Sequence, residues 1–473
     1  MQKILGFLFL VFTCLNVFSQ KSTIQLSPDV NDELAYPEVI GMNSQSFFVI
    51  SSKSENEFYL ESFTNKELRR IYKTQVEMPK IDGKTNTFEN IFYFNSHIYL
   101  FSSQHDKKLK KYTVYINEVK PNGELSLNHT IIDEISFTDK NYYCKYTFKL
   151  SNDSNRVLAF RESAESEIAN GKLTYKVISK GLKVVFSKDI ALAQPLAKTV
   201  IANVLMDDEQ NLYYSEKQYF KNETESGEYT KLFVVSYKSE KDSLYKTEIA
   251  INEKRFLDAN LQFNPQGSLI CTGNYAIEKS TTANWEESHT VKGLFYNVLE
   301  SERLKSLSQA QYNIQDLFPE EKFYHYYLAN SFQLDENNLV VLCEFQNIIC
   351  DNGNCDSKFG PWIKVNFNTK DKQGFAAQKM TNLVKGEKPS CKGGTLSYIP
   401  FQINKVADLL FNCNKLFEID LTGRVTEKSI FDNTINTDLA FMKYSFRMNI
   451  EDMLLLTYSK KTGHRFAKFS FKE

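Results

Sequence analysis

The chain carries no excess of either charge: Lys+Arg is 57 and Asp+Glu is 58, a formal net charge of −1 over 473 residues. It also lacks any long basic block. A grip on nucleic acid needs clustered Lys and Arg to displace counterions from phosphates, so that class of partner is disfavoured. Beyond the first 18 residues no segment reaches the ~20 consecutive apolar residues of a membrane-spanning helix. Local catalytic signatures are missing too. No HExxH, GxSxG, GxxxxGK[ST] or GxGxxG string occurs, which removes the common zinc-protease, nucleophile-elbow and phosphate-cradling arrangements. The six histidines, His97, His105, His129, His289, His325 and His464, are scattered. His325 stands among aromatics in FYHYYLANSF and reads as a packed strand residue, because no partner for a catalytic base is in sight.

What the chain has is aromatic side chains, 14% of residues, with 37 Phe and 26 Tyr. Such side chains fit a pleated surface and favour strands. The first residues, MQKILGFLFLVFTCLNVFSQ, combine Lys3, an apolar core from Ile4 to Phe18, and small-residue positions at Val17 and Ser19. This is the pattern of a secretory signal over 1–19, with a mature start at Gln20 and a single domain over 20–473. A lipid on Cys14 is the weaker reading, since Thr13 suits it poorly and the apolar run continues past it. Export to the periplasm or the exterior permits disulfides. Without Cys14 seven cysteines remain, an odd number that leaves at least one unpaired within the chain. Cys350 and Cys355 bracket the turn-forming DNGN and are the expected local disulfide.

One pattern recurs along the chain: an apolar stretch, a tight polar turn, a second apolar run. The second runs are FFVISS, IYLFSS, VLAFRE, LYYSEK, LICTGN, LVVLCE, LLFNCN and LLLTYS, recurring about every 58 residues. The turns fall at Asn95-Ser96, Asn152-Asp153, Asp207-Asp208, Asn264-Pro265 and Asp335 to Asn338. Asn and Asp fold such turns by bonding their own backbone, so these residues read as turn formers and not as ligands. A third strand follows each run, and often a more polar fourth, as RVTEKSIF after LFEIDL. The last unit stops after its third strand, while STIQLS stands near the start of the mature chain. The reading is an all-β protein, a β-propeller of eight blades (seven being the rival count), with an N-terminal strand closing the last blade. A tandem of β-sandwiches is the structural alternative.

Turns between first and second strands are short, whereas Gln218 to Thr230, Tyr275 to Thr290 and Gln346 to Gly360 read as long loops between second and third strands. Long connections on a rigid frame are where binding residues gather. The candidates are Trp285, Glu286, Glu287 and His289 in NWEESH, then Asp351 and Asp356 beside the Cys350–Cys355 clip, and Trp362 on the next strand. A Trp beside carboxylates suits a sugar ring or a peptide; the bland alternative is that Trp285 packs its own loop. DNGNCD lacks the alternating acidic spacing of a calcium loop, so no metal site and no cofactor are expected.

The segment from YHYYLANSFQLDENNLVVLCEFQ to PWIKVNFNTKDKQGFAAQKM resembles part of uncharacterised secreted Bacteroidetes proteins. These place a Tyr/His-rich strand before an acidic turn, an apolar strand and a further strand ending in an Asn-x-Asp-Gly-type turn. Here that turn is NFNTKDKQG, without the tight Asp-Gly. The resemblance brings no known activity. The expectation is an exported, non-catalytic binding module whose partner is a glycan, a peptide or an envelope protein. The alternative is a hydrolase or lyase acting on glycan or peptide from the same face.

Overall fold

The computed structural model describes residues 21–28, 35–54, 57–138, 142–151, 155–166, 168–221, 228–251, 255–264, 266–276, 290–316, 326–333, 337–351, 354–380, 398–404, 407–412, 415–420, 425–429, 439–448, 452–459 and 463–472. Their strands form eight four-stranded sheets in chain order, each built from consecutive antiparallel strands, and one two-stranded ribbon, Lys80–Ile81 with Lys84–Thr85. In the last sheet three strands come from the C-terminal end, Leu439–Arg447, Asp452–Ser459 and Gly463–Lys472. The fourth is Lys21–Leu26, paired antiparallel to Gly463–Lys472. First strands of most neighbouring sheets approach one another, including those of the first and last. The fold is a β-propeller, its first strands innermost and its ring closed by the N-terminal strand.

The closure is also packed. Phe47, Val49 and Phe63 of blade 1 share a cluster with Leu454, Leu456 and Phe466 of blade 8. Phe47 and Phe63 stack at 5.1 Å, and Phe466 meets both edge-on at 5.3 and 5.0 Å. Burying each such ring is worth roughly 1.5–3 kcal/mol. Similar clusters join blades 1 and 2, 2 and 3, 3 and 4, 4 and 5, and 5 and 6.

This stacking explains the sequence pattern. A second strand is covered on both sheet faces by adjacent blades, so it is apolar without alternation. All of Leu269–Ala276 in blade 5 is buried. A fourth strand sits at the rim and meets solvent on one face, so Ser243–Glu248 in blade 4 alternates between half-buried and exposed. The turns follow the chemistry expected of them. Asn95 and Ser96 both take positive φ, 52° and 66°, as a two-residue hairpin turn matching strand twist requires. The Asp207 carboxylate accepts from the backbone N–H of Glu209 (3.0 Å) and Asn211 (2.8 Å). The Asn264 amide oxygen accepts from Gln266 (3.1 Å) and Ser268 (2.7 Å). In the blade 3 hairpin the cap is Ser151, whose hydroxyl accepts from Arg156 N–H at 3.0 Å; Asn152 and Asp153 lie outside the described residues, as do Asp335 and Glu336 of the blade 6 turn.

Bulges interrupt the ladders, and lysines from adjacent blades occupy the freed carbonyls. Leu257 is the extra residue in the first strand of blade 5, and its carbonyl accepts from Lys217 of blade 4. Ile132 is extra in the fourth strand of blade 2 and accepts from Lys176 of blade 3 at 3.0 Å. Val204 lies in the bulge of the first blade 4 strand and accepts from Lys149 of blade 3 at 2.8 Å. A bulge frees a backbone group that burial would leave unpaired. Here the neighbouring blade supplies the donor.

Candidate binding face

First and third strands of a blade run one way, second and fourth the other. The connections from second to third strand, and from one blade to the next, therefore emerge on one face of the ring. Two of the segments expected there as long loops are instead paired strands. In blade 6 the second and third strands, Asn338–Asp351 and Asn354–Asn368, have 14 and 15 residues, against 8 each for their neighbours Tyr326–Gln333 and Gln373–Met380. The first strand pairs only as far as Phe345, and the fourth begins its pairing at Trp362. Beyond these, Gln346–Asp351 and Asn354–Phe359 continue as a two-stranded ribbon. At ~3.3 Å per residue it rises roughly 20 Å above the blade. The sequence reads as loop there because its Asn, Asp, Gly and Ser residues are the ones loops favour.

Blade 4 repeats the device on a smaller scale. Its first strand pairs with the second as far as Gln218, and its fourth pairs with the third from Phe233. Between them Tyr219, Phe220 and Lys221 pair with Thr230, Tyr229 and Glu228. The rings of Phe220 and Tyr229 stack at 5.2 Å with 13° between their planes, each half-buried. Lys217 Nζ lies 5.5 Å from the Tyr219 ring centroid. The root is anchored: the buried Thr230 hydroxyl accepts from Phe256 N–H (2.6 Å) and faces Phe256 C=O (3.1 Å) in blade 5. Buried Glu216 receives Lys246 Nζ at 3.0 and 2.9 Å and the Gln218 amide.

On the same face, the crevice between blades 2 and 3 holds a polar cluster that spans both blades. Glu89 is the extra residue of a bulge in the innermost strand of blade 2. Its carboxylate accepts from Ser103 Oγ (2.5 Å) and Tyr112 OH (2.9 Å). Deeper, Asp133 of blade 2 accepts from three side chains of blade 3: Arg161, Lys176 (2.8 Å) and Tyr146 OH (2.6 Å). Arg161 also donates to Thr174 Oγ1 at 2.7 Å, and Thr174 to Asp189 at 2.5 Å. Burial alone raises the Asp133 carboxyl, but Arg161 and Lys176 outweigh it and hold it below the usual carboxylate value. Burial, with Glu89 adding, pushes the Tyr112 phenol up. Burial pushes the nearby Cys144 thiol up to about 12, so it stays protonated at neutral pH and supplies no thiolate. This chemistry suits a clamp between blades better than a proton relay: each carboxylate is already engaged by a cation or a hydroxyl.

Of the residues singled out in the sequence, Trp285, Glu286, Glu287 and His289 lie outside the described residues. The other three sit in the blade 6 strands: Asp351 pairs with Asn354, Asp356 with Ile349, and Trp362 with Glu344 and Met380. Cys350 and Cys355 are directly opposite in register. Cys144, Cys271 and Cys343 are free thiols. Among the described residues no three His, Cys, Asp or Glu side chains converge as metal ligands. His105 packs against Tyr112 and Phe137, and His129 against Tyr115. The stacked pair Phe220–Tyr229 was not among the sequence candidates. Its signal was present: Phe220 and Tyr229 stand symmetrically about NETESG, each separated from it by one residue.

No protein-family model matches the sequence, and no curated protein matches it. Among solved structures the chain is similar to the Dos1 propeller, at 10% identity and a TM-score of 0.46 over 95% of each chain. It is similar to a europium-containing methanol dehydrogenase, at 7% identity and a TM-score of 0.42 over 93% of each chain. An α-L-arabinanase of Penicillium chrysogenum complexed with arabinobiose aligns at 10% identity and a TM-score of 0.34, over 68% of this chain and 92% of that one. Likenesses this faint bring no ligand and no reaction to this chain.

Proposed function

We propose that the protein is an exported binding module, and that its ribbon-bearing face takes a glycan or a peptide of the cell envelope. The observation that carries this reading is the pair of ribbons rising past blades 4 and 6, one bearing the stacked Phe220–Tyr229 pair. Aromatic faces held on a rigid frame bind sugar rings and peptide side chains at low entropic cost. Export rests on the signal pattern of residues 1–19.

The test is an array of glycans and envelope peptides probed with the chain from Gln20, beside Phe220→Ala, Tyr229→Ala and Trp285→Ala. Loss of about tenfold or more in affinity for either ribbon variant, as for an interface anchor, is the expected result. A ligand bound equally by all three variants sinks this face as the recognition surface.

The blade 6 ribbon bears on the same reading. An isolated two-stranded ribbon is marginal in water, and Cys350 opposite Cys355 is where a disulfide would hold it. Alkylation of the unreduced, unfolded chain should therefore spare both cysteines, and peptide mass spectrometry should recover them joined. Recovery of both as alkylated thiols removes the staple.

A further inference from the structure

The rim of the propeller is formed by eight outermost strands, and seven carry at least one charged residue, such as Arg70 and Lys73 in blade 1 or Lys379 in blade 6. The exception is blade 5, whose outermost strand Ser306–Asn313 reads SLSQAQYN. Charge on an edge strand discourages pairing with another chain, so among the described rim strands this edge is the one without that guard. It carries a second feature. Leu307 is the extra residue of a bulge, between the pairs Val298–Ser308 and Leu299–Ser306, and stands 52% exposed. Beside the strand runs an open groove of about 230 Å³, lined by Ile249, Ile251, Asn297, Gln309 and Gln311. Its polar wall is set: Asn297 donates to Gln309 Oε1 at 2.9 Å and accepts from Ser306 Oγ at 2.9 Å.

We propose that the protein self-associates through this edge, the outermost strand of blade 5 pairing antiparallel with the same strand of a second copy about a two-fold axis at Gln309. The choice of a second copy follows from complementarity. Antiparallel pairing about Gln309 sets residue 307 of each copy opposite residue 311 of the other. An exposed leucine of each chain then meets the amide-lined, isoleucine-floored groove of its partner. Two-fold pairing also sets like residues against like near the axis, which a charged strand resists and an uncharged one tolerates. The two sheets would join as one eight-stranded sheet across the axis.

Sedimentation equilibrium of the chain from Gln20 tests this. The wild type should dimerise at or below about 100 µM. Gln309→Lys places two ammonium groups opposite each other at the axis, and Gln309→Glu two carboxylates. Each alone should weaken the dimer by about tenfold or more, and an equimolar mixture of the two should restore it. Leu127→Lys, on the outermost strand of blade 2 at a residue 99% exposed, should leave the dimer unchanged. The inference is overturned by a wild type that stays monomeric, by dimers indifferent to Gln309→Lys, or by a mixture that does not re-form them. Because Gln309 is on neither ribbon, ligand binding by the Gln309 variants separates this outcome from the fate of the proposed function.

Discussion

Asp133→Ala is expected to destabilise the protein by about 3–5 kcal/mol, the cost of removing one partner from a buried ion cluster. Among the described residues the carboxylate is the acceptor that the Arg161 guanidinium and the Lys176 ammonium share, and the side chains of Asp133, Arg161 and Lys176 are 7%, 6% and 19% exposed. Without it two cations of blade 3 face each other in a largely buried crevice. The double variant Asp133→Ala/Arg161→Ala should lose less than the sum of its singles, by roughly 0.5–3 kcal/mol, because the second change removes the charge the first left unpaired. Urea unfolding of the four proteins measures this. A loss under about 1 kcal/mol for Asp133→Ala would mean the cluster behaves as an exposed ion pair.

The same group sets a pH dependence. Its folded value lies below the ordinary carboxylate one, the cations outweighing burial. Its stabilisation is therefore complete above the unfolded value near 4 and disappears as pH falls through the lower folded value. In Asp133→Asn that part of the acid unfolding limb should be absent.

A chain beginning at Pro28 should lose at least about 3 kcal/mol relative to one beginning at Gln20, and should aggregate. Lys21–Leu26 makes six register pairs with the strand Gly463–Lys472. Ser27 adds a bond from its N–H to Phe466 C=O (2.7 Å), and its hydroxyl accepts from Phe466 N–H (2.9 Å). At about 0.5 kcal/mol or more for each hydrogen bond, the loss reaches this figure before packing is counted. Removal also turns Gly463–Lys472 into an open edge, the geometry that recruits another chain. Thermal unfolding with light scattering reads both effects. Identical melting of the two chains would show that the closing strand only decorates blade 8.

Much of the frame is local and was legible. A strand covered on both faces must be apolar throughout, so the second strands announce themselves, LICTGN and LVVLCE among them. The hairpin at Asn95-Ser96 needs two left-handed residues, and the turns at Asp207 and Asn264 need a side-chain acceptor; each requirement is met within a few residues. Closure by STIQLS was legible from a missing fourth strand at one end and an extra one at the other. The ribbons were not. QYFKNETESGEYT and FQNIICDNGNCDSKFG are rich in Asn, Asp, Glu, Ser and Gly, and those residues are also what marks a loop.

By itself, then, the sequence determined the repeat, the strand classes and the turns, since each depends on whether neighbouring residues face water or protein. The tertiary structure decided which distant residues meet. Asp133, Tyr146, Arg161 and Lys176 lie on four strands of two blades. Any one of them reads in the sequence as a polar residue on an outward face. Only the stacking of blade 2 on blade 3, with a bulge at Ile132 shifting the register beside Asp133, makes them a single buried cluster.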